Sequence, residues 1–268
     1  MPNDVTISGL IHKIGWRGLP SLALSFGDED DCRGWLVGPA NEGLRCMFQM
    51  MNEARLMVGL NATATASVGF HESLARAQGR GLGVTDARTP PVPLFQHADM
   101  RRMLLRQKAI VDGAFALLGW CAKQADLSAH AEALGSHGGA ALGALREEIL
   151  ASCARADEHG VDRARTERVK SALEQVGAVS IALLGRGEDG DLGALLGHAT
   201  DYLELFSLLV IAWMWTELTA HAPDDDFGRG LDAAARYRVT TELPRIPALA
   251  ALCESAERSF LDVRAEWL

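Results

Sequence analysis

Apolar and polar positions alternate with a period of two at the start of the chain, then switch to helical spacing. Three short stretches, Val5–His12, Ser21–Phe26 and Gly34–Gly38, read as β-strands separated by turns rich in Gly, Pro and Asp. From Asn41 onward, Leu44, Phe48, Met51, Leu56 and Leu60 recur at helical spacing, which predicts a helix to about Gln78. The GRGLGV and TPPVP tracts stop it, so residues 79–96 are expected to form a loop. A second long helix begins at His97-Ala98-Asp99 and reaches about Ala125, with Asp99 as an acidic first-turn residue. Further helices are expected over Ser128–Glu158, Asp162–Leu184 and Leu192–His221, and shorter ones near Leu231–Glu242 and Pro247–Ala265. The pattern is mainly α: an antiparallel helical bundle with a short N-terminal β segment. Three strands are too few for a sheet with both faces covered, and their edges are unpaired, so the chain is expected to dimerise.

Composition narrows the functional classes. With 268 residues, 48% of them hydrophobic, the chain can bury a substantial core. A net charge of −9, with no basic stripe interleaved with aromatics, argues against a nucleic-acid partner. The five cysteines form no CxxC pair, so reduced thiols are expected rather than disulfides or a zinc site. The N-terminus lacks a basic-then-apolar leader, and the most apolar run, Leu203–Trp215, is too short to span a bilayer and reads as a buried helix. These features point to a cytoplasmic protein without a membrane partner.

Familiar catalytic signatures are missing: there is no GxSxG, P-loop or HExxH. GRGLGV follows a helix rather than a strand, which is the wrong context for a dinucleotide loop. His130 and His137 lie two helical turns apart, but no carboxylate or cysteine completes a metal-ligand set, so no metal site is assigned. Glu147-Glu148 and Asp224-Asp225-Asp226 read as a solvated face and a loop. Trp213 and Trp215, with Phe206 and Leu209, read as core packing.

Several longer stretches carry a resemblance. HKIGWRGLPSLALSF (residues 12–26), GWLVGPANEGLRCMFQMMNEARLMVG (34–59), HADMRRMLLRQKAIVDGAFAL (97–117), ATDYLELFSLLVIAWMW (199–215) and AARYRVTTELP (234–244) follow one another in a fixed order. Together they resemble the acyl-CoA dehydrogenase family, in the long-subunit branch that includes 3-methylmercaptopropionyl-CoA dehydrogenase. In that family FAD sits between a β domain and a helical bundle. A glutamate removes the α-proton of an acyl-CoA thioester while the β-hydride passes to the flavin.

The resemblance implies three segments. Residues 1–40 would be a remnant of the middle β domain, 41–190 the helical bundle, and 191–268 an extra C-terminal helical region. It also implies that Arg76 reaches the FAD pyrophosphate of a neighbouring subunit, and that Asn52 and Arg55 contact the acyl-CoA. No catalytic residue is assigned. The glycine-rich QxxGGxGY flavin contact is absent, as is the YEGTxxIQ stretch that carries the family's glutamate. The chain is therefore expected to be an FAD-linked oxidoreductase subunit acting on acyl-CoA thioesters, incomplete on its own. It would act as a homodimer or with a complementing acyl-CoA dehydrogenase subunit. A non-catalytic helical scaffold and a flavin-free CoA-ester binder are the alternatives.

Overall fold

The computed structural model describes residues 3–79, 81–82, 92–130 and 140–255. The chain divides into two compact units, Met1–Arg55 and Leu56–Leu268. One helix, α1 (Gly43–Gly79), runs from the first into the second.

In the first unit, β1 (Val5–Ile11) and β2 (Ser21–Phe26) form an antiparallel hairpin. The loop after β2 is tied back by Asn3, whose amide oxygen accepts from Arg33 N at 3.0 Å and whose Nδ2 donates to Arg33 O at 2.8 Å. The expected third strand, Gly34–Gly38, does not form. Among the described residues no strand pairs with it, and Gly38 sits at φ +80°, outside the extended region. Asn41 is also left-handed, at φ +67°, so α1 starts two residues later than expected.

The second unit is helical. After the short pair β3 (Gly81–Leu82) and β4 (Val92–Pro93) come α2 (Ala98–His130), α3 (Ala140–Glu158), α4 (Arg163–Glu188), α5 (Leu192–Leu196), α6 (Ala199–Ala220), α7 (Asp226–Tyr237) and α8 (Ile246–Glu254). Residues 128–130 belong to α2 rather than to the next helix, and residues 131–139 of that expected helix lie outside the described residues. The expected helix Leu192–His221 is two helices. Gly197 and His198 interrupt it, with His198 at φ −110°, ψ 27° and its Nδ1 2.9 Å from Asp201 Oδ2. Helix α4 starts where its N-cap predicts, since the Asp162 carboxylate accepts from Ala164 N at 3.0 Å. Helix α7 starts five residues earlier than expected, capped by Asp225, which accepts from Gly228 N at 2.8 Å. Gly228 is required there, because a Cβ would lie 1.7 Å from Pro223 O. The α-helical part of α7 ends at Tyr237 and continues as a π-turn, Arg238–Glu242, that turns Arg238, Val239 and Glu242 inward. Of the last expected helix, residues 256–265 lie outside the described residues.

The core is organised around α6, which packs against α2, α3, α4, α7 and α8. Leu205, Leu209, Trp213 and Trp215 are almost fully buried, together with Val169, Val176 and Val179 of α4 and Ile246 and Cys253 of α8. The two tryptophans are therefore core residues, as their spacing predicts. Helix α6 is long and apolar enough to cross a membrane by length and composition, yet 56% of that stretch is buried inside the bundle. Helices α2 and α6 come close at Gly113, where a Cβ would stand 2.7 Å from Ile211 Cγ2 and 2.9 Å from Trp215 Nε1. That absent side chain lets Trp215 Nε1 donate to Ala109 O at 2.7 Å.

Candidate functional site

Four helices wall a cleft of about 580 Å³ in the second unit. Its lining follows from helical periodicity: Ala116, Trp120 and Lys123 lie on one face of α2, and Trp213 and Glu217 on one face of α6, with the C-cap His221 just beyond them. Helix α3 contributes Glu148 and Arg155, and α7 contributes Phe227 and Leu231. The floor is apolar and aromatic, with Trp120 and Trp213 edge to face at 5.0 Å between centroids. The rim is charged. An apolar floor under a few polar groups is the form expected of a small-molecule site.

A polar network sits at the base of the rim. Trp213 Nε1 donates to Ser152 Oγ at 2.7 Å, and the Ser152 hydroxyl donates to Glu217 Oε1. Arg155 Nη2 donates to Glu217 at 2.5 Å, to Ser152 Oγ at 3.0 Å and to Glu148 at 3.2 Å. Burial pushes the Glu217 carboxyl up, but the bonds from Ser152 and Arg155 outweigh it and hold the group below its ordinary value. Glu217 is thus a stabilised carboxylate whose Oε1 accepts from both Ser152 and Arg155, which disfavours its taking a proton from carbon. His221 Nδ1 lies 3.0 Å from Glu217 O, and its ring is 5.3 Å from that of His159.

A second charged cluster lies at the π-turn. Glu242, almost wholly buried, accepts from Arg106 at 3.1 Å, Arg245 at 3.3 Å and Tyr237 at 3.3 Å. Beside it Arg238 is buried, with its Nη2 3.4 Å from Ser207 O and its Nε unpaired. Burial pulls the Arg238 guanidinium down to about 10.

Of the residues named from the sequence, Trp213 and Glu148 line this cleft, whereas none of the site residues that the resemblance implies is among its described lining. Arg55 is exposed on α1, its guanidinium stacked 5.2 Å from the Phe48 ring centroid. Asn52 lies one turn before it on the same helix; its side chain is outside the described residues. Arg76 is exposed in the last turn of α1, roughly six turns beyond Arg55, and makes no ion pair with another described residue. The side chain of His130, and the whole of His137, fall outside the described residues.

Sequence inspection did not single out Ser152, Arg155 or Glu217. Ser152 and Arg155 are one turn apart on α3, but Glu217 meets them across 62 to 65 positions, so no local motif joins the three. The one available signal was Glu217 itself, an acid set near the end of a long apolar helix.

Comparison with known proteins places this geometry in context. The family described as acetyl-CoA dehydrogenase C-terminal like matches residues 120–264, which take in all the lining residues of the cleft but Ala116. A butyryl-CoA dehydrogenase of Syntrophomonas wolfei is 37% identical over 123 residues, covering 43% of this chain and 20% of its own length. The broad-specificity linear acyl-CoA dehydrogenase FadE5 of Mycobacterium tuberculosis is 37% identical over 121 residues, with 43% and 20% covered. The 3-methylmercaptopropionyl-CoA dehydrogenase of Ruegeria pomeroyi is 37% identical over 134 residues, with 48% and 22% covered. The matched stretch spans about a fifth of each of these relatives. The family match covers more than half of the chain, with acyl-CoA dehydrogenases as relatives, and the chain belongs to the acetyl-CoA dehydrogenase C-terminal-like family.

Proposed function

We propose that the chain is a subunit of an acyl-CoA dehydrogenase-type, FAD-linked oxidoreductase acting on acyl-CoA thioesters, completed by a second copy or by a complementing chain in the cytoplasm. The observation that carries this reading is the family match over residues 120–264, joined to relatives named for butyryl-CoA and linear acyl-CoA oxidation. In this reading residues 1–40 are part of a β domain, 41–190 the bundle and 191–268 an added helical region. Arg76 would hold the cofactor's pyrophosphate. Its exposed guanidinium, without a described ion partner, suits bidentate donation to phosphate oxygens. That is a partial fit, since the residues that wall the flavin ring would come from the partner. Asn52 and Arg55 would meet the acyl-CoA on the earlier part of α1. FAD, when bound, supplies the hydride acceptor; this chain's residues bind and orient.

An absorbance spectrum tests the proposal. The chain is purified after co-expression with a chain carrying the remaining length of its relatives, and Arg76→Ala is compared. Flavin absorbance that falls several-fold in Arg76→Ala is expected. Preparations without flavin, alone and with the second chain, would refute the reading. One observation favours a non-catalytic helical scaffold as the second reading: the cleft's two carboxylates, Glu148 and Glu217, are both paired with Arg155.

A further inference from the structure

The cleft between α2, α3, α6 and α7 has no part in the flavin-linked reading, since Asn52, Arg55 and Arg76 are not among its described lining. Its lining runs from residue 116 to residue 231, wholly inside the second unit. Its volume of about 580 Å³ lies within the range of about 300–1,000 Å³ usual for small-molecule sites.

The apolar part of the cleft is set before any ligand arrives. Trp213 is 1% exposed, its indole N–H donates to Ser152 Oγ at 2.7 Å, and Trp120 stands edge to face against it at 5.0 Å. Rings fixed in this way lose little further freedom on binding. Phe227, on the α7 wall, is 62% exposed, an aromatic surface still open to water. It lies two residues after the N-cap Asp225, whose bond to Gly228 N fixes that turn. Aromatic groups on three of the walls suit a flat ring, packed edge to face or offset.

The charges define the other end of the ligand. Arg155 serves two acids, and it serves them unequally: Glu217 accepts from it at 2.5 Å and also from Ser152, whereas Glu148 has one bond, at 3.2 Å, and is 43% exposed. One cation against two carboxylates leaves that side of the rim at −1, and the less engaged acid is Glu148. On the α2 wall Lys123 is exposed and makes no ion pair with another described residue, so that side stands at +1. Lys123 and Glu148 do not pair with each other, although both line the cleft. A rim with separate positive and negative ends over an aromatic floor is complementary to a ligand carrying both charges and a ring.

We propose that this cleft binds a small aromatic zwitterion, its ring among Trp120, Trp213 and Phe227, its carboxylate at Lys123 and its ammonium group at Glu148. An aromatic α-amino acid is the simplest molecule of that class. The inference goes beyond the flavin-linked reading and does not rest on it.

Saturation-transfer NMR titrations of the full chain test it with three probes: L-phenylalanine, 3-phenylpropionate, which lacks the ammonium group, and 2-phenylethylammonium, which lacks the carboxylate. L-Phenylalanine is expected to bind about three- to fivefold more tightly than either of the others, the size of one solvent-facing ion pair. Lys123→Gln is expected to weaken L-phenylalanine by about the same factor and to leave 2-phenylethylammonium unchanged. Glu148→Gln is expected to weaken L-phenylalanine and to leave 3-phenylpropionate unchanged, and Phe227→Ala to weaken all three probes. None of these three side chains is buried, so the variants fold, which circular dichroism checks. Absence of transfer to L-phenylalanine, equal affinity for the three probes, or Lys123→Gln and Glu148→Gln variants that hold L-phenylalanine as the wild type does would each overturn the proposal. The titrations need neither flavin nor acyl-CoA, so their failure leaves the absorbance test of the proposed function untouched.

Discussion

Adding one methyl group at Gly113 is a sharp test of how α2 and α6 are joined. Replacing glycine by alanine inside a helix is favourable by about 1 kcal/mol from backbone propensity alone. At Gly113 the new Cβ would fall 2.7 Å from Ile211 Cγ2 and 2.9 Å from Trp215 Nε1, well inside contact distance. Both neighbours are core side chains, Ile211 at 8% and Trp215 at 0% exposure, with no solvent side to move toward. Overpacking of this kind costs about 1–3 kcal/mol. A displaced Trp215 also weakens its bond to Ala109 O, a further loss of about 0.5–1.5 kcal/mol. The net expectation is destabilisation by roughly 1–3 kcal/mol. Gly119 provides the control on the same helix, since nothing lies within 4 Å of a Cβ there and alanine should stabilise by about 0.5–1 kcal/mol. Urea unfolding followed by far-UV circular dichroism measures both, with midpoints compared at constant slope. If Gly113→Ala is as stable as Gly119→Ala, the close approach of α2 and α6 is wrong.

Three further outcomes are expected. Ser152→Ala leaves the buried Trp213 N–H without its acceptor and should cost about 1–3 kcal/mol in urea unfolding, with altered tryptophan fluorescence; an unchanged midpoint would count against the network. Glu217 and Asp232 are held below their ordinary values, burial opposing and their arginine bonds prevailing, and Asp157 is held down by Thr166 and Lys170. Their stabilisation is present above the unfolded values of 4.5 and 3.8 and is lost as pH falls through the folded ones. Burial lifts the Cys153 thiol to about 11 from 9.0, so its contribution is present below 9 and fades as pH rises toward 11. A pH series of unfolding free energies should therefore decline at both ends, and Glu217→Gln should flatten the acid limb. Glu242→Gln removes the counter-charge facing Arg106, Arg238 and Arg245 and should destabilise by about 3 kcal/mol or more, whereas Arg238→Met should be close to neutral; the reverse order in thermal unfolding would refute the view that Glu242 anchors the cluster.

The helices were legible because their signals are local. Apolar spacing located α1, α2, α4 and α6, Asp162 marked the start of α4 by its side chain, and Trp213 and Trp215 were readable as core from their place in an apolar run. The strand at 34–38 was misread because a strand exists only by pairing, and among the described residues no strand pairs with that segment. The break at His198 and the π-turn at Arg238–Glu242 are small departures from helical geometry that composition does not announce.

By itself the sequence determined the helical class and the family, because periodicity and motif order are written along the chain. Only the tertiary structure brought together Ser152, Arg155, Trp213 and Glu217 and lowered the basicity of Glu217. The reason is physical: these properties depend on hydrogen bonds and burial between residues far apart in sequence, and such terms exist only once the chain has folded.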